Sequence, residues 1–132
     1  MLAAKSDNHH VSILHIEDNA DNRLLIRRIL NADGYNVIEA DSAAQALRLL
    51  VDQTPDLILI DINMPDMDGY TLTSRLKSQP QWRHIPVIAI TANALKGDRE
   101  RSLQAGCDGY IQKPIDVDNL TEQVLQFLQP RA

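Results

Sequence analysis

Carboxylates stand at the ends of two apolar runs in this chain. Asp61 directly follows the run 57–60, and the pair Glu17 and Asp18 directly follows the run 11–16. If both runs are strands of an open parallel sheet, these acids meet at the edge where such sheets hold their ligands. Clustered carboxylates repel one another unless a cation is bound, and hard oxygen ligands favour Mg²⁺ or Mn²⁺. Helix capping by the acidic pair would explain one acid and not all three, so the spacing predicts a divalent-metal site with Asp61 as a candidate nucleophile.

A hydroxyl and an amine follow two later apolar runs. Thr91 comes after the run 86–90, and Lys113 comes after the run 109–112 and directly before Pro114. Taken singly, Thr91 would be a helix cap and Lys113 a surface cation. Because both stand at strand ends, they are better explained as groups that balance the acids and contact an arriving phosphoryl group. The Lys113–Pro114 bond is a candidate for the cis form.

Five short apolar runs alternate with segments of helical periodicity. A short continuous apolar run is typical of a strand buried on both faces of a parallel sheet. The helices carry end signals: Ser42 with Gln45 begins the second, Gly34 ends the first, Pro80 ends the third and Asp116 begins the last. With right-handed crossovers, this order predicts an α/β fold, a doubly wound (βα)5 sandwich whose parallel sheet has the strand order 2-1-3-4-5. The strand candidates are 11–16, 35–39, 57–60, 86–90 and 109–112.

The fourth helical segment, residues 95–104, differs from the others. It offers little apolar surface beyond Leu95 and Leu103, which stand among charged residues. A helix that buries little apolar area is held less firmly than its neighbours. We therefore expect this helix to be a moving part.

Composition limits the class of protein. A chain of 132 residues fits one domain, which we place at 11–129 behind a flexible N-terminal segment 1–10. The net charge of -5 argues against a nucleic-acid surface, and a single cysteine excludes an internal disulfide. There is no apolar stretch of membrane-spanning length. These features favour a cytoplasmic protein without membrane or nucleic-acid contacts through this domain.

Taken together, the motifs resemble those of the receiver domain of two-component response regulators, a CheY-like phosphoacceptor family with a flavodoxin-like fold. The likeness runs from about residue 11 to 128, with the motifs in the family's order and spacing. It rests on Ile13-Leu14-His15-Ile16-Glu17-Asp18-Asn19, Asp56-Leu57-Ile58-Leu59-Ile60-Asp61-Ile62-Asn63-Met64-Pro65-Asp66-Met67-Asp68-Gly69, Ile90-Thr91-Ala92 and Gly109-Tyr110-Ile111-Gln112-Lys113-Pro114.

The resemblance implies a role for each site residue. Asp61 would be phosphorylated, and Glu17, Asp18 and Asp61 would bind Mg²⁺ together with the backbone carbonyl of Asn63. The Glu17-Asp18 pair replaces the two aspartates that the family often has, which is also a common arrangement.

The resemblance also implies a switch. Thr91 and Lys113 would contact the phosphoryl group, and Tyr110 would turn inward when the Thr91 hydroxyl moves toward the phosphate. This movement would re-weight the face formed by the fourth helix, the fifth strand and the fifth helix.

The expected function is phosphorelay signalling. A sensor histidine kinase or a histidine phosphotransfer protein would donate the phosphoryl group, and the chain would assist only its own phosphorylation and dephosphorylation. The downstream protein, and whether phosphorylation drives homodimer formation, stay open. A Mg²⁺-dependent aspartyl-phosphate phosphohydrolase is the main alternative, but Asn63 stands where such enzymes need a second acid. A flavin- or nucleotide-binding module would need a Gly-rich or hydroxyl-rich first loop, which is missing.

Overall fold

The computed structural model describes residues 11–92 and 98–128. The predicted flexible segment 1–10, the start of the predicted fourth helix at 95–97, and residue 129 lie outside the described residues. The elements alternate along the chain as β1 Ser12–Ile16, α1 Ala20–Ala32, β2 Asn36–Ala40, α2 Ala43–Asp52, β3 Leu57–Asp61, α3 Gly69–Lys77, β4 Val87–Thr91, α4 Asp98–Ala105, β5 Gly109–Gln112 and α5 Val117–Leu128.

The five strands form one parallel sheet in the order β2-β1-β3-β4-β5, which confirms the predicted topology. Every residue of β3 and β4 is buried, as expected for central strands covered on both faces. At the sheet edge, β2 is less buried. The carboxyl ends of β1, β3, β4 and β5 therefore meet at the same edge, where the predicted site residues follow them.

Two apolar clusters hold the helices against the two faces of the sheet. On one face, α1 and α5 contribute Ile26, Leu30, Leu120 and Val124. On the other face, α2 and α3 contribute Ala46, Leu50, Leu72 and Leu76, and α4 contributes the half-buried Ala105. Burial of these side chains, rather than helix propensity, supplies most of the helices' stability.

The predicted helix ends are confirmed. Ser42 Oγ accepts a hydrogen bond from Gln45 N at 3.1 Å and caps α2, and Asp116 Oδ1 accepts from Asp118 N at 3.0 Å before α5. Gly34 follows α1 with a φ of 93°, a left-handed conformation that glycine adopts without a Cβ clash. The third helix ends at Lys77, three residues before Pro80.

The fourth helix buries a polar residue instead of its leucine. Leu103 is 61% exposed, whereas Ser102 is 1% exposed. Contacts of α4 with α3 include the Arg101 guanidinium, which lies 4.6 Å from the centroid of the Tyr70 ring, and Ser74 Oγ, which donates to Ala105 O at 3.5 Å. These contacts contribute little compared with a buried leucine, so we expect α4 to be held less firmly than α1. None of the helices in the described residues has the length and apolar character needed to span a bilayer.

Amide hydrogen exchange should reveal the weaker hold on α4. We expect the amides of residues 102–105 to exchange at least about tenfold faster than those of residues 26–30 in α1, because local opening of α4 exposes little apolar surface. The measurement is native-state exchange followed by NMR or mass spectrometry. Equal protection in the two helices would contradict this account.

Candidate functional site

Three carboxylates come together at the carboxyl edge of the sheet. Glu17, Asp18 and Asp61 each offer an oxygen, and these oxygens all lie within 4.8 Å of one another. Glu17 and Asp61 are only 2% and 3% exposed, whereas Asp18 is exposed. Oxygen donors at this spacing, with one side open to water, fit the preference of Mg²⁺ for a few carboxylates and retained waters.

The backbone around Glu17 is fixed from both sides. Glu17 N donates to Ala40 O at 2.9 Å, and the Arg23 Nη1 atom donates to Glu17 O at 2.7 Å. Asn19 N donates to Glu17 Oε2 at 3.2 Å. The cap of α1 is Asn19, whose Oδ1 accepts from Asn22 N at 2.9 Å. Because Asn19 performs the capping, helix capping does not account for the acidic pair before it.

Lys113 reaches the two buried acids. Its Nζ lies 3.4 Å from Glu17 Oε1 and 3.5 Å from Asp61 Oδ2. Its backbone N donates to Thr91 O at 2.7 Å, which links the end of β5 to the end of β4. The predicted cis form of the Lys113–Pro114 bond is confirmed. The ammonium therefore offsets part of the repulsion between the carboxylates.

Two further predicted site residues lie beside Asp61. Asn63 N donates to Asp61 Oδ1 at 3.0 Å, so the chain turns back toward the acid directly after β3. Thr91 is the last residue of β4, the strand paired with β3, and it is 1% exposed. The structure thus brings Thr91 and the chain at Asn63 to the same edge as the acids.

Tyr110 lies one strand further along. It pairs with Ala89 in the register of β4 and β5, two residues before Thr91, so its side chain stands on the same sheet face as that of Thr91. The half-buried Tyr110 packs against the cluster under α2 and α3, and its carbonyl accepts from Gln123 Nε2 at 3.1 Å. This position is compatible with a switch, and the movement itself stays a prediction.

The electrostatics of the metal-free site favour a proton on Glu17. Burial, followed by the hydrogen bond to Asp61 and the charge of Asp61, raises the pKa of Glu17 from 4.5 to about 7, against the opposing effects of the Asn19 N–H and Lys113. Two buried carboxylates cannot both ionise cheaply at this separation. A divalent cation would replace that proton, so the donor set fits a bound metal better than an empty site.

Two residues near the site were not singled out as functional by the sequence. Arg23 could have been noticed, because a cation in the first turn of a helix opposes the helix dipole and calls for a local partner. His15 is fully buried beneath the site, as the packing interpretation of the first strand requires, and neither ring nitrogen has a hydrogen-bond partner within the described residues. Burial, and then the charges of Lys113 and Arg23, lower the pKa of His15 to about 3, so it is a neutral packing residue.

Comparisons with known proteins agree with this fold and site. The sequence model of the response regulator receiver domain matches residues 13–125. The polar-differentiation response regulator DivK of Brucella ovis is 45% identical over 117 residues, which cover 89% of this chain and 95% of the relative.

Solved structures give the same result. The receiver domain of a signal transduction histidine kinase from Syntrophus aciditrophicus is 38% identical with a TM-score of 0.84, and the match covers 89% of each chain. The receiver domain of a sensor histidine kinase from Pseudomonas aeruginosa is 39% identical with a TM-score of 0.82, over 89% of this chain and 97% of that one. The latter contains a magnesium ion coordinated in its active-site cleft.

The parallel sheet of this order, the acids gathered at its carboxyl edge and the matches above together indicate a signalling domain of the receiver class. This chain belongs to the response regulator receiver domain family and is a receiver of two-component signal transduction.

The raised pKa of Glu17 should make the stability of the metal-free protein depend on pH. Because the folded chain holds this proton more tightly than the unfolded chain, the contribution is fully present below pH 4.5 and is lost as the pH rises through about 7. Glu17→Gln removes the titrating group, so the free energy of unfolding should fall less between these pH values. Urea denaturation in the presence of a chelator measures this.

The control is Glu122→Gln, which changes an exposed glutamate on α5. In this variant the free energy of unfolding should depend on pH as it does in the unchanged chain. An identical pH dependence for Glu17→Gln and the unchanged chain would contradict the assignment of the shift to Glu17.

Proposed function

We propose that Asp61 is the phosphoacceptor of this receiver domain, and that Glu17, Asp18, Asp61 and the backbone carbonyl of Asn63 bind Mg²⁺, with Mn²⁺ as an alternative ion. The single observation that carries the proposal is the convergence of two buried carboxylates and Lys113. Asp61 lies within 4.8 Å of the other acids and 3.5 Å from the Lys113 ammonium. The proposal takes the receiver unit to span 11–129, which includes the matched residues 13–125.

The reaction follows from these positions. An Asp61 carboxylate oxygen forms a bond to the phosphorus of a phosphohistidine as the bond from phosphorus to the imidazole nitrogen breaks, and the imidazole keeps that electron pair. Mg²⁺, when bound, supplies positive charge beside the phosphoryl oxygens. Water later cleaves the aspartyl phosphate and returns Asp61 to its carboxylate form.

Lys113 and Thr91 act on the transferred group. The Lys113 ammonium, now 3.4 Å and 3.5 Å from the two buried acids, would pair with a phosphoryl oxygen. The hydroxyl of Thr91, at the end of the neighbouring strand, would donate a hydrogen bond to a second phosphoryl oxygen. The shift of Thr91 toward the phosphoryl group frees space for Tyr110 and biases the face formed by α4, β5 and α5. The weak hold on α4 supports its part in this change.

The partners in this proposal are a sensor histidine kinase or a histidine phosphotransfer protein as donor and a downstream protein of unknown identity. Family membership and the similarity to histidine-kinase receiver domains support the donor class. The domain would act as a signalling phosphoprotein and not as an enzyme on other substrates. A cytoplasmic location is part of the proposal, supported by the one buried cysteine, which is free. The phosphohydrolase alternative gains no support, because the residue two after Asp61 is an amide.

Phosphorylation in vitro tests the acceptor. Incubation with a small acyl phosphate and Mg²⁺ should shift the chain on a phosphate-affinity gel, and Asp61→Asn should abolish the shift, because an amide cannot act as the nucleophile. Removal of Mg²⁺ by a chelator should slow phosphorylation of the unchanged chain by at least about a hundredfold, since the metal would neutralise the charge that develops on the phosphoryl group.

The matched control is Asp56→Asn. Asp56 is an exposed aspartate directly before β3, at the opposite edge of the sheet, and its Oδ2 accepts from Ser12 N at 2.8 Å. This variant should be phosphorylated like the unchanged chain. A shift that persists in Asp61→Asn would rule out Asp61 as the acceptor.

A further inference from the structure

A carboxylate from the loop after β3 binds the N-terminus of another helix. Asp66 lies in the β3–α3 loop, and its Oδ1 and Oδ2 accept hydrogen bonds from Ala43 N at 3.3 Å and Ala44 N at 3.1 Å. Ala43 is the first residue of α2. Asp66 is itself exposed, so this contact is made at the surface beside the acidic site.

Asp66 supplies acceptors that α2 itself lacks. The first N–H groups of a helix have no acceptor within it, and the Ser42 cap satisfies Gln45 N but neither Ala43 N nor Ala44 N. The first turn of α2 contains no acidic residue, so Asp66 supplies from another loop the negative charge that the helix dipole favours. Desolvation works against the charged form, yet the N–H groups of Ala44 and Ala43 leave the pKa of Asp66 lowered, which keeps the carboxylate ionised.

The chain at the N-terminus of α2 contacts two loops beside the acidic site. Ala40, the last residue of β2, accepts from Glu17 N at 2.9 Å, and α2 begins three residues later. On the other side, Asp66 stands three residues after Asn63, whose N donates to Asp61 Oδ1. The N-terminus of α2 therefore joins the loop of Glu17 to the loop of Asn63.

We propose that Asp66 is a positioning residue for the metal and phosphoacceptor site. By fastening the β3–α3 loop to α2, it sets the position of the Asn63 carbonyl relative to Glu17, which rests on the function proposed above. The loop does not depend on Asp66 to stay folded, because Ile62 and Met64 are buried in the core at 4% and 8% exposure. Loss of Asp66 should thus change the ligand geometry more than the fold.

The test measures Mg²⁺ binding by calorimetry and the initial rate of phosphorylation by a small acyl phosphate. Asp66→Ala should weaken Mg²⁺ binding by about tenfold, at the low end for a residue that supports metal ligands indirectly. Asp66→Asn keeps one acceptor oxygen and should recover part of that loss. The control Asp56→Ala removes an equivalent aspartate-to-backbone contact at the far edge and should bind Mg²⁺ like the unchanged chain.

Stability separates positioning from folding. In the presence of a chelator, the free energy of unfolding of Asp66→Ala should be similar to that of Asp56→Ala. When Mg²⁺ is added, only Asp66→Ala should gain less stability than the unchanged chain does. Unchanged Mg²⁺ affinity in Asp66→Ala overturns the proposal, and so does weakened binding in Asp66→Ala and Asp56→Ala alike. If Asp66→Ala does not fold, undiminished Mg²⁺ affinity in Asp66→Asn overturns it. Failure of the unchanged chain to bind Mg²⁺ or accept phosphoryl groups would instead refute the proposed function.

Discussion

The repulsion between two buried carboxylates is the constraint around which this protein is arranged. Glu17 and Asp61 lose most of their hydration at the end of a hydrophobic sheet, yet they lie close enough to bind one ion. The Lys113 ammonium near both acids offsets part of the repulsion, and burial together with the remaining repulsion raises the pKa of Glu17 to about 7. Carboxylates in this arrangement favour the uptake of a cation, and in the proposed function that cation would offset the charge of a phosphoryl group.

The strands and their following loops hold the groups against that repulsion. Asp61 and Thr91 end the fully buried strands β3 and β4, and Glu17 follows β1, which is buried from Ile13 to Ile16. The loops are fixed by bonds to elements other than their own, from Arg23 to the carbonyl of Glu17 and from Asp66 to the first amides of α2. By contrast, α4 buries Ser102 rather than Leu103 and places the Arg101 guanidinium over the Tyr70 ring. In the proposed function, the phosphoryl group arrives at the edge formed by these strands, and α4 is the element expected to respond to it.

Much of this arrangement could be predicted because it depends on local patterns. Continuous apolar runs identified the buried strands. The helix ends at Ser42, Gly34 and Asp116 could be predicted because each depends on the residue type and on contacts within a few residues along the chain. The convergence of Glu17, Asp18 and Asp61 followed from strand order alone. The contact of Asp66 with Ala43 and Ala44 could not be predicted, since it joins segments more than 20 residues apart whose proximity depends on how the chain packs.

The exposure of residues in α4 could not be predicted either, because Ser102 is buried and Leu103 is exposed, against the polarity of the two side chains. By itself, the sequence determined the class of fold, the edge at which the chemistry lies and the residues that reach it, since strand periodicity and the direction of parallel strands leave little freedom there. Tertiary structure alone decided how deeply each acid is buried, which backbone groups the Asp66 side chain binds and which side chains of α4 are covered. Those properties depend on burial and on distances of a few ångströms between distant parts of the chain, and no local pattern encodes them.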